Sequence, residues 1–510
     1  MLLLILVSQN PAWWPTYGYD LANTHFSPFK GAMSSTPSIT WQYTGAGYVE
    51  RSPATAEIGD GDPNLETLVP GYNTGTLALV DGVNQSVQWT RAIGSNPIST
   101  AGMYNIDGDA QLECIVSISN GVGTVCLDGL TGATQWTFAN ASTWGSAKVA
   151  DFVPGNPGLE IIVGGGSGLY CLNSSGAQLW LASVGAVNST PAACDVDGDG
   201  LLEIAVSSST TIAVLEAENG TVKWSQAFTG EYGSPCLKDV TGDGVADVVV
   251  GTGTGVVYCR NANTGGLNWS VSMMYPKCEA GAAAWDLDNN GVVEVIVGCN
   301  NSSNTAGCLY SINGATGAVN WTYPVSYGVH RAVSLIDVNG DNAVEILLPG
   351  CKNGGPNGLK CLRPQGTLLW EVSFSTAHDI HDPSNADIDG DGCAELIVGT
   401  YGVDAAWFLD DVGNASDCGV LETGEDPGYP ETLLPRISFA AGRILLHLPR
   451  DASGTLCLYD PAGRRAAVLV SGEIMAGEYG FDIGGLVPGV YTAVFVHERG
   501  TASCVVPVKR

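Results

Sequence analysis

An acidic loop followed by a short apolar run recurs eight times in this chain of 510 residues. The fullest copy, DVDGDGLLEIAV, begins at Asp195, and the copies begin at residues 57, 105, 151, 195, 239, 286, 337 and 387. Successive copies are 44 to 51 residues apart, so one structural unit is repeated along most of the chain. Repeats of this length with strand-like content are typical of the blades of a β-propeller.

One repeat shows the expected strands. From Ser189, STPAACDV is an inner strand, LEIAVSS is the second, TIAVLEA is the third, and TVKWSQAF is the fourth. Alternation and β-branched residues indicate strands, Gly and Asn indicate turns, and no segment has helical periodicity. A tryptophan recurs in the fourth strand of seven repeats: Trp89, Trp136, Trp180, Trp224, Trp269, Trp321 and Trp370.

The eighth repeat ends after AAWFLDDVG and has no fourth strand of its own. Trp41, in SITWQYTG, lies before the first acidic loop and has no blade of its own. We therefore expect residues 39–45 to complete the eighth blade. The predicted fold class is all-β, an eight-bladed β-propeller closed by the N-terminal strand, which leaves no free sheet edge.

The acidic loops have the ligand pattern of a calcium site. Carboxylates at loop positions 1, 3, 5 and 9 supply hard oxygen ligands, and without a cation they repel one another at short range. Where Asn replaces Asp, its amide oxygen still ligates. The copy at Asp151 keeps only Asp151 and Glu160 around a Pro-Gly turn, and we expect no metal there. The predicted ligands are Asp60, Asp62 and Glu66; Asp107, Asp109 and Glu113; Asp195, Asp197, Asp199 and Glu203; Asp239, Asp243 and Asp247; Asp286, Asp288, Asn290 and Glu294; Asp337, Asn339, Asp341 and Glu345; and Asp387, Asp389, Asp391 and Glu395.

The net charge of −31 argues against a nucleic-acid partner. Residues 1–12 begin with seven apolar residues, too few to span a bilayer, and no other segment reaches transmembrane length. This segment is either the tail of a secretion signal or an ordered apolar strand. Calcium loops suit millimolar external calcium, so we expect an extracellular or cell-surface protein.

The chain has fifteen cysteines, and their role is open from sequence. Three pairs flank possible hairpin turns and can form cross-strand disulfides: Cys114 with Cys126, Cys299 with Cys308, and Cys351 with Cys361. The alternative is that most are small buried apolar residues, since Cys171 and Cys259 occupy the same strand position without an evident partner.

Residues 13–412 resemble two propeller families. The TGxxxW turns, as in LTGATQW, and the opening WPTYGYDLANTHFSP resemble propellers of the pyrroloquinoline-quinone type. The DxDGDGxxE loops resemble the calcium-binding repeats of integrin-α-type (FG-GAP) propellers. The resemblance implies calcium at Asp195, Asp197, Asp199 and Glu203 and at their counterparts. It implies that the tryptophans pack blade on blade, and it does not imply a quinone enzyme.

Residues 413–434 are polar and rich in proline, which is typical of a linker. Residues 435–510 then predict a small β domain. The turn LYDPAGRR, the segment LVPGVY and the basic end Lys509-Arg510 resemble the C-terminal sorting domain of type IX secretion, an immunoglobulin-like β-sandwich. The resemblance implies an export address, and a sandwich used for packing or subunit contact is the alternative.

A catalytic site is the other possibility that the sequence raises. His378, Asp379, His381 and Asp382 lie just before the inner strand of blade eight, and His330-Arg331 precede that of blade seven. Glu279 and Arg51 fall at comparable places. Because inner strands begin around the central channel, these groups can converge at one mouth and hold a metal or a sugar, supply a general base, or simply line a wet channel.

The favoured interpretation is a secreted or cell-surface propeller, stabilised by several calcium ions, that is a non-catalytic binding, adhesion or structural module. Its expected partners are an extracellular protein or polysaccharide, or copies of itself in a polymer. The alternative is an extracellular polysaccharide-active enzyme, a lyase or hydrolase, with its site at the channel mouth around His378 and His381.

Overall fold

We describe the fold from a computed structural model. The described residues are 13–410 without 61–63, 95, 98, 108–110, 119–121, 141–143, 228–232, 351–357, 375–378 and 403–404; residues 418, 419 and 421; and the segments 436–440, 443–448, 452–459, 465–475, 477–482, 489–497 and 500–508. The N-terminal segment 1–12 and, among the predicted site residues, Asp62, Asp109 and His378 lie outside this set.

The repeats form eight antiparallel sheets, each with a three-residue inner strand that the acidic loop joins to the second strand. The first four blades are β3 (Ala54–Ala56), β4 (Glu66–Gly71), β5 (Thr76–Asp81), β6 (Ser86–Ala92); β7 (Gly102–Tyr104), β8 (Glu113–Ile118), β9 (Gly123–Asp128), β10 (Thr134–Phe138); β11 (Lys148–Ala150), β12 (Glu160–Gly165), β13 (Gly168–Leu172), β14 (Gln178–Ala182); and β15 (Ala192–Cys194), β16 (Glu203–Ser207), β17 (Thr211–Glu216), β18 (Val222–Ala227). Blades five to seven are β19 (Cys236–Lys238), β20 (Asp247–Gly251), β21 (Val256–Asn261), β22 (Leu267–Ser272); β23 (Ala283–Trp285), β24 (Glu294–Asn300), β25 (Gly307–Asn313), β26 (Val319–Val325); and β27 (Ser334–Ile336), β28 (Glu345–Pro349), β29 (Gly358–Leu362), β30 (Leu368–Ser373).

The N-terminal strand closes the ring, as the sequence predicts. Blade eight contains β31 (Asp379–Ile380), β32 (Ser384–Ala386), β33 (Glu395–Tyr401) and β34 (Ala405–Asp410). Its outer strand is β2 (Ser38–Tyr43), which pairs antiparallel with β34 so that Trp41 lies opposite Phe408. A short strand, β1 (Phe26–Ser27), runs parallel to β27 in blade seven. The expected eight-bladed, all-β propeller is confirmed.

The recurrent tryptophans join each blade to the next. The indole Nε1 of Trp224 donates to the carbonyl of Ala262 in the following blade at 2.6 Å, and the ring lies under the turn glycine Gly265. Six other tryptophans make the same bond at 2.6 to 3.0 Å: Trp89 to Gly129, Trp136 to Ser174, Trp180 to Ala217, Trp269 to Gly314, Trp321 to Pro364 and Trp370 to Met33. The series is therefore structural.

Every outer strand carries a β-bulge at the residue just before its tryptophan. In blade four, Trp224 pairs with Val214 and Val222 with Leu215, so that Lys223 has no partner in the ladder. A bulge re-aims the extra side chain. The bulged residues of the eight blades are Gln88, Gln135, Leu179, Lys223, Asn268, Asn320, Leu369 and Thr40.

Residues 14–30, which we call the N-terminal cord, pass along the inner strands in chain order. Trp14 exchanges two backbone bonds with Thr55 of β3, and β7 then donates to Pro15. The Lys148 ammonium of β11 donates to the carbonyls of Tyr17 and Asp20. Further inner-strand N–H groups donate to the cord as follows: Ala193 to Leu21, Leu237 to Ala22, Ala284 to Thr24 and Leu335 to His25. The cord carbonyls thus accept hydrogen bonds from backbone N–H groups of the inner strands, which form the channel-facing edge of the ring.

The cysteines are mostly buried apolar residues, which was one of the two alternatives. Ten of those described are free thiols, among them Cys114, Cys126, Cys299, Cys308 and Cys361. One disulfide, Cys393–Cys418, joins the blade-eight loop to a residue of the predicted linker. Beside it, Lys30 N–H donates to Gly419 and Leu421 N–H to Pro28, so these linker residues pair with the propeller.

The chain divides into two compact units, and the smaller one contains the C-terminal strands. It has two antiparallel sheets, in the orders β35-β36-β39 and β38-β37-β40-β41. Their bounds are β35 Arg436–Ala440, β36 Arg443–Leu448, β37 Ala452–Tyr459, β38 Arg465–Ile474, β39 Gly477–Asp482, β40 Gly489–His497 and β41 Gly500–Val508. In the part of the chain that the structure describes, we find no helix of the length and apolarity that crossing a bilayer requires.

Candidate active site and candidate cation loops

A cavity of about 450 Å³ lies where the segments that lead into the inner strands meet. Because each blade enters its inner strand at the same end of the ring, residues far apart in sequence converge there. The cord contributes Tyr17. The lining also includes Arg51, Ser146, Thr190, Ser234, Glu279, His330, Arg331, Asp379 and Asp382, so most of the groups that the sequence suggested do share one mouth.

Asp379 is the centre of a charged cluster in this cavity. Its Oδ2 lies 3.6 Å from His330 Nε2, 3.5 Å from an Arg331 nitrogen and 4.0 Å from His381 Nε2. Burial opposes ionisation of Asp379, but the Arg331 charge and the hydrogen bond with His330 outweigh it and hold its pKa far below the usual range. His330 Nδ1 has no hydrogen-bond partner among the described residues.

Asp382 lies in the same cavity, but its pKa is shifted in the opposite direction from that of Asp379. Burial raises the pKa of Asp382 despite the nearby Arg331 and Arg51, and its carboxylate accepts the N–H of Ala332 at 2.6 Å. Burial and Arg331 lower the pKa of Arg51 to about 10. The two aspartates of the cavity are therefore biased toward different protonation states, the arrangement that acid–base catalysis uses.

One wall of the cavity is aromatic. Trp144 is 39% exposed and stacks on Tyr72 with ring centroids 6.5 Å apart and an interplanar angle of 20°. The Arg51 guanidinium lies 4.8 Å from the Trp144 ring centroid. An exposed indole beside hydroxyl and amide groups, such as Ser146 and Asn188, offers an apolar face and hydrogen bonds to one ligand.

The acid that closes each acidic loop has a backbone role in all eight blades. Glu203 Oε2 accepts the N–H of Val196 at 2.7 Å, and Glu160 does the same for Phe152 in the loop where we expected no metal. The other six closing acids make the equivalent bond: Glu66 with Ile58, Glu113 with Ile106, Asp247 with Val240, Glu294 with Leu287, Glu345 with Val338 and Glu395 with Ile388. These acids therefore fix the start of the loop to the second strand.

Six of the acidic loops differ in whether a protein group donates to their acids. Lys223 pairs with Asp197 and, at 3.5 Å, with Glu203. Gln88 donates to Asp60 and Glu66 at 2.9 and 3.1 Å. In blade five Asn268 donates to Asp247 at 2.6 Å, whereas in blade seven a loop residue, Asn339, donates to Asp341 and Glu345. In these four loops a protein group donates to the acids.

Blades six and eight differ because their bulged residues bond elsewhere, Asn320 to Ser311 and Thr40 to the Phe408 carbonyl. Among the described residues, three sets of acids have ligand atoms within 4.8 Å of one another: Asp195, Asp197 and Asp199; Asp286, Asp288 and Glu294; and Asp387, Asp389 and Glu395. In the last set Glu395 is 5% exposed and its Oε1 has no described partner. A hard cation fits this loop and the blade-six loop best.

Two site features were not foreseen. The sequence singled out His381, yet its side chain is fully buried, and burial lowers its pKa well below the usual value, which keeps it neutral. His330 is the histidine that lines the cavity. The donors at the bulges were also missed. Their only signal in the sequence is a polar residue directly before several of the tryptophans, as in Gln88, Lys223 and Asn268.

Comparison with known proteins supports the fold. The sequence profile of the PQQ_2 family, described as outer membrane protein assembly factor BamB, matches residues 120–269 and 196–354, together less than half of the chain. A search of curated protein sequences found no match.

Solved structures of similar fold include a europium-containing methanol dehydrogenase, with 14% identity, TM-score 0.59, and coverage of 78% of this chain and 92% of that one. A quinohemoprotein alcohol dehydrogenase from Pseudomonas putida HK5 matches with 13% identity, TM-score 0.59, and coverage of 85% and 84%. The quinohemoprotein alcohol dehydrogenase from Comamonas testosteroni matches with 13% identity, TM-score 0.57, and coverage of 81% and 82%.

These comparisons overturn two expectations. The expected non-catalytic module is contradicted, because these three propellers of similar fold are dehydrogenases. Calcium as the only cofactor is also wrong, because those enzymes are named for a europium ion or for a quinone with haem. The cavity of this chain does not fit pyrroloquinoline quinone, a tricarboxylate. It is lined by four carboxyl groups, Glu50, Glu279, Asp379 and Asp382, against two guanidinium groups, and we derive no step through a quinone.

Proposed function

We propose that the protein is an enzyme that cleaves glycosidic bonds of an extracellular polysaccharide at the channel mouth. The observation that carries the proposal is the pairing of two differently biased aspartates with a histidine in one cavity. Asp379, held ionised, orients His330 through Nε2, while Asp382 has a raised pKa. The fold similarity to dehydrogenases supports an enzyme and does not identify the reaction.

Each group has a role in this chemistry. Asp382 is the general acid, because a raised pKa favours the protonated form that donates to the leaving oxygen. His330 is the general base, and Asp379, 3.6 Å from its Nε2, stabilises the imidazolium that forms. Trp144 supplies a stacking face for a sugar ring. Hydrolysis fits better than uronate elimination, because an anionic sugar would meet four carboxyl groups and only two guanidinium groups.

The test is turnover of neutral and uronate polysaccharides, followed by reducing ends and by the ultraviolet absorbance of unsaturated ends. We expect new reducing ends without unsaturation.

Asp382→Asn and His330→Gln should each lower kcat by about 10²- to 10⁴-fold. Trp144→Ala should raise KM more than it lowers kcat. Glu371→Gln, which removes an outer-strand partner of Lys360, is the matched control and should retain activity. Full activity in both His330→Gln and Asp382→Asn would refute the proposal.

We propose as a second, structural role that the loops of blades eight and six bind a hard, oxygen-preferring cation. The support is the clustering of Asp387, Asp389 and Glu395 around a buried carboxylate oxygen without a partner. Calorimetric titration of chelator-treated protein with Ca²⁺ or La³⁺ tests it. Glu395→Gln should remove one site, whereas Asp151→Asn, in the blade-three loop, should remove none. An unchanged stoichiometry in Glu395→Gln would exclude the blade-eight site.

We also propose that the chain is exported and that residues 435–510 form a sorting domain after a short linker, as the sequence resemblance implies. The Cys393–Cys418 disulfide supports an oxidising compartment, since such bonds rarely persist in a reducing cytosol. Fractionation of cells that express the whole chain or residues 1–434 tests both points. Equal export of the two forms would exclude a sorting role for the C-terminal strands.

A further inference from the structure

Three cysteines lie in a row across neighbouring strand segments of blade six. Cys299 of β24 is directly opposite Cys308 of β25. On its other side, Lys277 forms a bridge with Asn300, which places Cys278 opposite Cys299 in the same antiparallel register. All three side chains are fully buried in one apolar cluster with Val297 and Tyr310. Cys299 therefore has one cysteine on each side.

The backbone bonding distinguishes the two pairs. Lys277 and Asn300 exchange both N–H to carbonyl bonds, at 3.2 and 2.8 Å, and Cys278 N–H instead donates to Thr252 at 2.9 Å. Bonded and non-bonded pairs alternate along an antiparallel ladder, so Cys278 and Cys299 form a non-bonded pair. Such pairs have Cα atoms about 4.5 Å apart and closer side chains, within the range of a disulfide. The same alternation makes Cys299 and Cys308 a bonded, wider pair.

The thiol contacts agree with the backbone. The nearby Cys299 raises the pKa of the Cys278 thiol and Cys278 lowers that of Cys299, whereas the Cys308 thiol donates to the Leu309 carbonyl at 3.6 Å. A metal shared by three thiolates is disfavoured, because among the described residues only acidic loops bring three ligand atoms within 4.8 Å of one another. The geometry therefore favours a bond between two sulfur atoms.

We propose that Cys278 and Cys299 form a structural disulfide when the chain folds under oxidising conditions, and that Cys308 stays a free thiol. The oxidant is a small-molecule or protein disulfide. The Cys278 and Cys299 sulfurs form one S–S bond, the S–S bond of the oxidant breaks, and the two thiol protons pass to its two sulfurs. Because both cysteines are buried, the exchange belongs to folding and not to the folded protein.

The bond would brace the candidate active site. Cys278 is followed by Glu279, Ala280 and Gly281, which line the cavity. A disulfide would fix this wall to β24, in addition to the two backbone bonds between Lys277 and Asn300. The inference itself does not depend on the proposed reaction, since it concerns the bond and not turnover.

Peptide mapping tests the pairing. The whole chain is refolded with glutathione disulfide, denatured with iodoacetamide and no reductant, and cleaved after Lys, Arg and Glu. We expect the dipeptide Cys278-Glu279 joined to residues 295–331, which carry Cys299 and Cys308. The link should persist in Cys308→Ser and disappear in Cys299→Ser. Alkylation of both Cys278 and Cys299 in the wild-type chain, or an internal Cys299–Cys308 link, would overturn the proposal.

Thermal unfolding gives a second readout that requires only a folded variant. A disulfide between Cys278 and Cys299 constrains the unfolded chain. Cys278→Ser should therefore lower the midpoint temperature of unfolding by about 4 °C relative to the oxidised wild type. Cys308→Ser is the matched control, because it removes a buried thiol of the same cluster without the bond. An equal fall in the unfolding midpoint of Cys308→Ser would mean that lost packing, and not a lost disulfide, lowers the midpoint in Cys278→Ser.

Discussion

Asp379 shows how a single buried charge both holds the candidate site together and prepares it for chemistry. The Asp379 residue is only 4% exposed, and its carboxylate contacts Arg331 and two histidines. Removing one partner of a buried ion pair leaves the other charged and uncompensated, which typically costs about 3–5 kcal/mol. The same carboxylate fixes the orientation of His330. Stability and proton transfer therefore depend on one side chain.

Asp379→Asn should destabilise the fold at pH 7 by about 3 kcal/mol, and the difference should shrink in acid. A depressed folded-state pKa contributes stability that is complete above the unfolded value of about 4 and falls by roughly 1.4 kcal/mol per pH unit below it. Urea unfolding of variant and wild type at pH 7 and pH 3 measures this. Glu371→Gln is the control, with a change of under about 0.5 kcal/mol expected. A difference that stays constant between the two pH values would contradict the assigned charge state.

At the scale of the strand, the bulge before each tryptophan connects two features that look separate in the sequence. It turns the residue before the tryptophan toward the acidic loop in blades one, four and five, while the indole itself bonds to the next blade. The recurrence of tryptophan, turn glycine and acidic loop was enough to predict blades, ring closure and packing. The bulge was not predicted, because one extra residue disturbs the alternation only locally and the bulged residue varies in type between blades, as in Leu179, Lys223 and Thr40.

The turn glycines give a test of the indole contact. Gly265 has φ +73°, and a Cβ there would lie 2.7 Å from Trp224 Cδ2. Gly244, in the same blade, has φ +86° but nothing within 4 Å. Gly244→Ala should therefore cost about 1 kcal/mol from backbone strain alone, and Gly265→Ala about 2–4 kcal/mol because overpacking adds to it.

A double-mutant cycle separates the two causes. In a Trp224→Ala background, the cost of Gly265→Ala in thermal or urea unfolding should fall to that of Gly244→Ala, because the ring that the new methyl group meets is gone. Additive costs in the two backgrounds would show that the glycine is needed only for its dihedral angle.

At the scale of the whole molecule, the N-terminal cord is the element that the sequence repeat does not predict. The repeat predicts eight equivalent blades, yet their inner strands leave a ring of N–H groups along the channel, and buried backbone groups must be paired. A non-repeating segment supplies the partners, because a path round a ring meets each blade only once. Its sequence is not repetitive for that reason, and the period that revealed the blades carries no information about it.

The cord predicts a pattern of amide protection. The N–H groups of Thr55, Met103, Ala193, Leu237, Ala284 and Leu335 donate to cord carbonyls at 2.8 to 3.2 Å. In hydrogen exchange resolved by residue, these six amides should exchange more slowly than those on the outer edge of strand β18, which has exposed residues. Exchange at outer-edge rates would show that the cord does not cover the inner strands in solution.

Asn23→Ala should loosen one sector of the ring and leave the rest intact. The buried Asn23 amide donates to the carbonyls of Thr190, Pro191 and Pro235, at the entries of blades four and five. Its loss leaves buried carbonyls unpaired, at a cost of about 1–3 kcal/mol. Exchange at Ala193 and Leu237 should therefore accelerate while Thr55 keeps its rate. Uniform acceleration around the ring would mean that the cord opens as one unit, so that its bonds to the inner strands of seven blades form and break together and not independently.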